Sequence, residues 1–559
     1  MGRKITLLFL IFLLGFILRF YQLGAIPASV EWDEAAIGYD AYSLLNTCKD
    51  QFGKFFPNTF RSLDDWKPPI YEYTAIPSIA VWGLNAFAVR FPSAFFGSFS
   101  VLAVYFLVRT VFLNINFWSK RSVKLGLLAS FLLAVSPWSL QFSRAAFEVN
   151  VSVFITILAV TTFIKGLTNN RFFILSAFLF GLDLFSYHST RIVAPLLLIS
   201  LFIIFNKQLP IKKIMICFFL ILSFFIVFFI PIARSPEAQI RFKATNIFNP
   251  GARYLDERDL DREFLDMRQT DSKAGFDLAG RIFHNQRLIY TDYETLKKSL
   301  GHYLSNFGFE FLFVKGDVPL HHAPSFGLLH LIEFPIIFLG IIFILFKGLN
   351  KYTIVFLLWL LFVPIPDAVT REAPHAVRSE LFLPVWQILG AVGLFTIYRF
   401  LKRESEWVIM FFVIGFVSLF AINHAFYLHQ YYVHTDYELS KNWLYGREEA
   451  VSFTEKVKGE YDKVLVSMKV DMPYIFWLFY SKYSPQKYLT EGGTVSGGFA
   501  DERNKFDKYE FRNFDNKNIA KEEKLLLVST PDNFPSEARI LKTIYYRNGT
   551  EALRIGTNK

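Results

Sequence analysis

What most limits the fold of this chain is a series of about eleven apolar runs, each long enough to cross a bilayer as a helix. They fall near residues 5–22, 88–112, 124–141, 147–167, 171–186, 191–206, 214–233, 326–346, 352–369, 379–399 and 407–424. About 20 such residues span the hydrocarbon layer, where every backbone polar group has to find its partner within the segment, so the runs are expected as helices. Composition agrees: 53% of the 559 residues are hydrophobic, 66 of them Phe, and mean hydropathy is +0.33. That is too apolar for a soluble protein with one or two cores. The net charge of +11 raises nucleic acid as a partner, but the Lys and Arg residues fall largely in short loops between the runs. Such loops are the mark of the inner membrane face, and we expect membrane lipids rather than nucleic acid around this chain.

With the amino terminus inside, the inner loops carry Lys120, Arg121 and Lys124, then Lys165 and Arg171, then Lys207, Lys212 and Lys213, then Lys347 and Lys351, then Arg399, Lys402 and Arg403. This orientation predicts a multi-pass protein of the plasma membrane with a cytoplasmic amino terminus, and an odd number of spans puts the carboxyl-terminal region outside. No small-residue cleavage site follows the first run, which Arg19 and Tyr21 close, so it reads as a retained helix. Residues 1–425 form the expected membrane domain, with outer loops at about 23–87 and 234–325. Within the first loop, 35–45 looks amphipathic and 67–77 is punctuated by proline, which suits surface helices along the membrane. The second, with mixed charges, is expected to be partly ordered. Residues 426–559 are expected to form a separate, small extracytoplasmic α/β domain, with strands at 463–467 and 524–529 and a helix at 448–458. Cys48 and Cys217 lie in an outer loop and an apolar run, so neither a disulfide nor a thiolate metal site is expected. Asn548-Gly549-Thr550 matches a glycosylation sequon, a pattern too short to carry weight.

The chemistry has to come from polar groups at the outer face. Glu31-Trp32-Asp33-Glu34 places three carboxylates just beyond the first run. Asp33 and Glu34 can cap a helix beginning at Ala35, and a carboxylate facing a wet cleft can also take a proton from an acceptor hydroxyl. In Asp64-Asp65-Trp66-Lys67-Pro68-Pro69, two prolines stiffen the chain after a lysine that can face an anion or simply a solvated turn. Arg144 and Glu148, four residues apart where one span hands over to the next, can pair with each other, or Arg144 can reach a phosphate. His188 and Arg191 in one hairpin, and Arg371, His375 and Arg378 in another, bring further cations to the same face. Several cations around one carboxylate suit a lipid-linked phosphate substrate. His321 and His322 can ligate a metal with an acidic partner, but adjacent histidines point in different directions, so no metal ligand set is assigned and a divalent ion stays open.

The order of Trp32-Asp33-Glu34-Ala35, Lys67-Pro68-Pro69, Ala88-Val89-Arg90-Phe91-Pro92-Ser93 and Pro374-His375-Ala376-Val377-Arg378 resembles the integral-membrane GT-C glycosyltransferases. Within them it is most similar to the branch of dolichyl-phosphate-mannose protein mannosyltransferases and bacterial aminoarabinose transferases, over roughly residues 5–425. The resemblance implies a GT-C-like fold and an enzyme that moves a sugar, with inversion, from a polyprenyl-phosphate carrier to a protein, lipid or glycan acceptor on the outer side. It implies Asp33 as the base, and we expect Glu34 to orient or tune it. Lys67, Arg144, Arg191, His375 and Arg378 are the candidates for holding the donor phosphate. The aminoarabinose transferases carry an acidic residue, associated with a metal, directly before the lysine; here Trp66 stands in that place and Asp65 is displaced by one. The competing reading is a transporter or flippase of a lipid-linked or small polar solute, which calls for midplane charges and related halves. Here the ionisable residues gather at one face, Asp183 being the main exception.

Overall fold

The structure is a computed structural model that describes residues 2–62, 65–209, 257–283, 287–496, 502–519 and 523–559, with isolated positions 215, 226 and 230. Six described helices are long and apolar enough to cross a membrane: Ala86–Leu113, Glu148–Gly166, Thr190–Gln208, Lys351–Ala368, Ala376–Leu401 and Glu406–Glu438. A seventh span forms if Ser119–Ala134 and Pro137–Ser143, bent by 57° at their junction, are counted together. The chain is therefore a multi-pass membrane protein, but the eleven expected spans are not all seen as such. Gly2–Phe20 is helical but includes Arg3, Lys4 and Arg19, Asn170–Asp183 has 14 residues, and Glu333–Phe343 continues only through a short π-helical turn. The expected span at 214–233, apart from three isolated positions, and residues 234–256 and 284–286 of the loop that follows lie outside the described residues.

Buried arginines hold the bundle together where helices break. Pro137 has no N–H to give the Leu133 carbonyl, which keeps a 3.3 Å bond from the Ser136 N–H, and the Trp138 N–H turns away from the Ala134 carbonyl to that of Leu328. Arg19, fully buried, donates to the Leu133 and Ala134 carbonyls, at 3.2 and 3.1 Å, and to the hydroxyls of Ser139 and Ser143. The helices Glu333–Phe343 and Leu383–Leu401 approach until a Cβ on Gly340 or Gly393 would collide with the facing backbone, which is how small residues bring membrane helices together. Asp183 does not face lipid: Thr156 of the adjacent span and Ser186 donate to its carboxylate at 2.5 and 2.7 Å.

Outside the bundle, the first loop contains the helix Trp32–Thr47, a hairpin of Phe60–Ser62 with Asp65–Lys67, and the helix Ile70–Trp82. The carboxyl-terminal region contains a six-stranded mixed sheet in the order Lys505–Phe506, Tyr509–Phe511, Lys463–Val466, Leu525–Ser529, Glu551–Thr557, Arg539–Tyr545. Lys463–Val466 pairs in parallel on both sides, which requires crossovers; the helix Pro473–Ser481 belongs to those connections, and the helix Arg447–Val457 leads into the sheet. The expected α/β domain is thus present, but its core is not its own. One hydrophobic cluster contains Ala35, Ile37 and Tyr39 of the first loop, Val89 of the membrane helix, and Trp477, Phe479 and Val528 of the sheet region.

Candidate active site

The site is set by how the chain enters the helix Trp32–Thr47. Glu31 caps it: its carboxylate accepts the Asp33 N–H at 2.8 Å, and the Glu34 side chain reaches back to the Glu31 N–H at 3.2 Å, forming a capping box. Glu34 also accepts two bonds from Arg90, at 2.8 and 2.9 Å, and the Ala146 N–H at 3.0 Å. Arg90 uses its remaining N–H groups on the carbonyls of Leu23, Pro27 and Ser29. A fully buried, bidentate pair of this kind fixes geometry, and it fixes the turn that presents Asp33.

Asp33 points the other way. Its side chain is 47% exposed, and its Oδ1 lies 2.8 Å from the Nζ of Lys67, which is buried and lies 3.5 Å from Glu148 Oε1. The hairpin places Lys67 at the end of a strand, and the two prolines that follow turn the chain directly into the helix Ile70–Trp82. Burial works against the lysine's charge, but Asp33 and Glu148 outweigh it and raise its pKa. The buried carboxyl of Glu31 is pushed well above the usual range, first by burial and then by the Asp33 carboxylate. These groups line a cavity of about 330 Å³, closed on its other sides by Tyr187, His188, Leu320, His321, His375 and Trp443.

Of the five expected phosphate ligands, Lys67 and His375 are on the wall of this cavity, and Arg144, Arg191 and Arg378 are not among its lining residues. Arg144 does not pair with Glu148. It donates to the carbonyls of Leu18, Arg19 and Ile26 and to the Tyr431 hydroxyl, satisfying the end of the first helix. Arg191 stands behind His188, 3.1 Å from its Nδ1, and donates to the Leu184 carbonyl. Arg378 binds the Asp367 carboxylate at 3.2 Å, the Thr370 hydroxyl at 2.9 Å and the Glu372 carbonyl at 2.5 Å, bracing the loop that carries His375. His188 is partly buried, and loss of solvent first, then Arg191, lower its pKa to about 3. Glu31 and Glu148 stand out in the sequence without a place in the site, and Asp317 and Trp443 carry no signal there; the signal of Glu148 is that of an acidic residue opening an apolar span.

The adjacent histidines do diverge. His322 Nδ1 faces the Ala323 carbonyl at 2.9 Å, whereas His321 Nδ1 lies 2.8 Å from Asp317 Oδ2. Asp317, His321 and His375 bring one ligand atom each within 4.8 Å of one another, a two-histidine, one-carboxylate set of the kind that suits zinc. The second oxygen of Asp317 is buried and has no hydrogen-bond partner, which fits a position kept for a cation. Burial raises the Asp317 pKa, but His321, His375 and the Ala376 N–H more than offset this and hold it below the usual value. The expected acidic partner is therefore on the histidine loop itself, and Asp65 instead accepts the N–H of Trp66 at 2.7 Å.

Residues 66–233 match the profile of the dolichyl-phosphate-mannose-protein mannosyltransferase family. No curated protein is significantly similar to the chain in sequence. Among solved structures, ArnT from Cupriavidus metallidurans bound to undecaprenyl phosphate superposes with a TM-score of 0.54 at 11% identity, covering 100% of this chain and 98% of that one. The same protein in the apo state gives 0.51 at 10% identity, covering 98% and 97%. The Archaeoglobus fulgidus oligosaccharyltransferase in complex with Zn and sulfate gives 0.50 at 13% identity, covering 85% of this chain. The chain spans 61% of that oligosaccharyltransferase's length. Identities this low establish a shared fold, and the fold is that of the GT-C glycosyltransferases.

Proposed function

We propose that this GT-C-fold chain, similar to the protein mannosyltransferase and ArnT branch, transfers a sugar from a polyprenyl-phosphate donor to an acceptor hydroxyl at the outer face of the plasma membrane. The observation that carries the reading is the half-exposed Asp33 held 2.8 Å from the buried Lys67 in a polar cavity. Asp33 takes the proton of the acceptor hydroxyl as its oxygen attacks the anomeric carbon. The bond from that carbon to the phosphate oxygen breaks on the opposite face, the carrier phosphate leaves with the bonding electrons, and the configuration inverts.

Lys67 is the cation that meets the growing negative charge. At rest it is shared between Asp33 and Glu148; a donor phosphate competes for it, and the base is released from its counter-ion only when donor is present. Glu34 works at a distance, its lone pairs engaged by Arg90 and backbone N–H groups so that the turn before Asp33 cannot shift. Asp317, His321 and His375 would hold a divalent ion on the far wall, where it would supply further positive charge.

The test is direct. Purified protein in nanodiscs is given radiolabelled polyprenyl-phosphate sugars with protein, lipid and glycan acceptors, and the anomeric configuration of the product is read by NMR. Label in an acceptor with inverted configuration is expected; release of free sugar or movement of intact donor across vesicles, without transfer, would contradict the proposal.

A further inference from the structure

The helix that carries Asp33 is held between two bodies. On one side is the membrane helix Ala86–Leu113, whose Arg90 grips Glu34. On the other is the helix Pro473–Ser481 of the carboxyl-terminal domain. Gly38 marks a close approach: a Cβ there would lie 2.6 Å from Phe479 and 2.6 Å from Val89 at once, so any larger residue would push one of these side chains aside. Ahead of the helix, the Tyr480 hydroxyl accepts the Val30 N–H at 3.3 Å and lies 3.3 Å from the Ser29 hydroxyl. Further along, Tyr39 donates to the Tyr483 carbonyl at 3.0 Å, and Gln51 is bound by Thr494 through both backbone and side chain at 2.9 Å. Trp443, from the same side, lies 6.0 Å from the Arg90 guanidinium and lines the cavity.

We propose that Phe479 and Tyr480 of the carboxyl-terminal domain are positioning residues for Asp33. The proposal rests on the reading of Asp33 as the base. The cap, Arg90 and Val89 locate the helix from below, and Phe479 and Tyr480 supply the opposing contact that fixes its height and rotation over the cavity. A displacement of about 1 Å in a reacting group can lower a rate by roughly a hundredfold, so these contacts act on turnover although neither residue is among those lining the cavity. Donor binding, which depends on Lys67 and its hairpin, is left alone.

The experiment is a double-mutant cycle in the full-length protein, pairing Tyr480→Phe with Asp33→Asn. Tyr480→Phe keeps the ring and removes only the hydroxyl; kcat is expected to fall roughly tenfold, with donor affinity and thermal unfolding unchanged. In the Asp33→Asn background the same substitution is expected to cost nothing further, because a residue that acts through the base has nothing left to act on. Phe479→Leu, which loosens the contact with Gly38, is expected to give the same pattern. An equal fractional loss in both backgrounds, or no loss in either, overturns the positioning role. Full transfer by Asp33→Asn alone would instead strike at the base assignment, so the two failures are told apart.

Discussion

Lys67 balances two carboxylates of the site at once, so Lys67→Met leaves Asp33 and Glu148 facing each other without a counter-ion and removes the cation from the leaving group. A loss of transfer on the order of a hundredfold to a thousandfold is expected, the usual effect of deleting one preorganised donor, with weakened binding of polyprenyl phosphate measured alongside. His188 makes a different prediction. Its folded pKa of about 3 lies below the ordinary 6.5, so on acidification the unfolded chain takes up a proton that the folded one refuses. Stability from this residue is therefore whole above pH 6.5 and is lost progressively as pH falls toward 3. His188→Gln is expected to flatten that part of the stability curve, as read by thermal unfolding at a series of pH values; an unchanged slope would show that His188 takes up its proton equally in the folded and unfolded chain.

At the scale of elements, the sequence made some parts plain and hid others for a physical reason. The helix after Trp32 and the strands around 463–466 and 525–529 follow from caps and local apolar patterns, and they are present. What local pattern cannot give is the partner across the fold. Arg144 and Glu148 have ideal spacing for a pair, yet each goes to a distant residue, because the broken end of the first helix needs donors and Lys67 needs a counter-ion. In the same way His321 was visible but Asp317 and His375 were not visible as its companions, since a loop reversal and the chain between residues 321 and 375 bring them together. Zinc titration with elemental analysis tests that cluster. About one equivalent is expected in the intact protein and a large loss of affinity in Asp317→Asn, since removing one of three ligands leaves an incomplete set; equal zinc content in both would dismiss the site.

For the molecule as a whole, the run of apolar segments announced a membrane protein, and the ordered motifs announced the GT-C fold. The short helices Asn170–Asp183 and Glu333–Phe343, and the bend before Pro137, blurred the count of spans, because hydropathy measures apolarity and not straightness. The shared core between the first loop and the sheet region was hidden too, since nothing in either segment records the other. The proposed orientation follows from the basic short loops, and cysteines placed at Lys402 and at Glu448 test it with an impermeant reagent in intact cells. Labelling at 448 alone is expected, and the reverse would move the cavity to the other side. The central claim is that Asp33 is the base of a sugar transfer. Asp33→Asn keeps the size of the side chain and leaves the Glu31 cap untouched, but it cannot take the proton. Transfer from a polyprenyl-phosphate sugar by the purified variant is predicted to fall by roughly a hundredfold to ten-thousandfold while donor affinity and thermal stability are retained; full transfer by the variant would contradict the account.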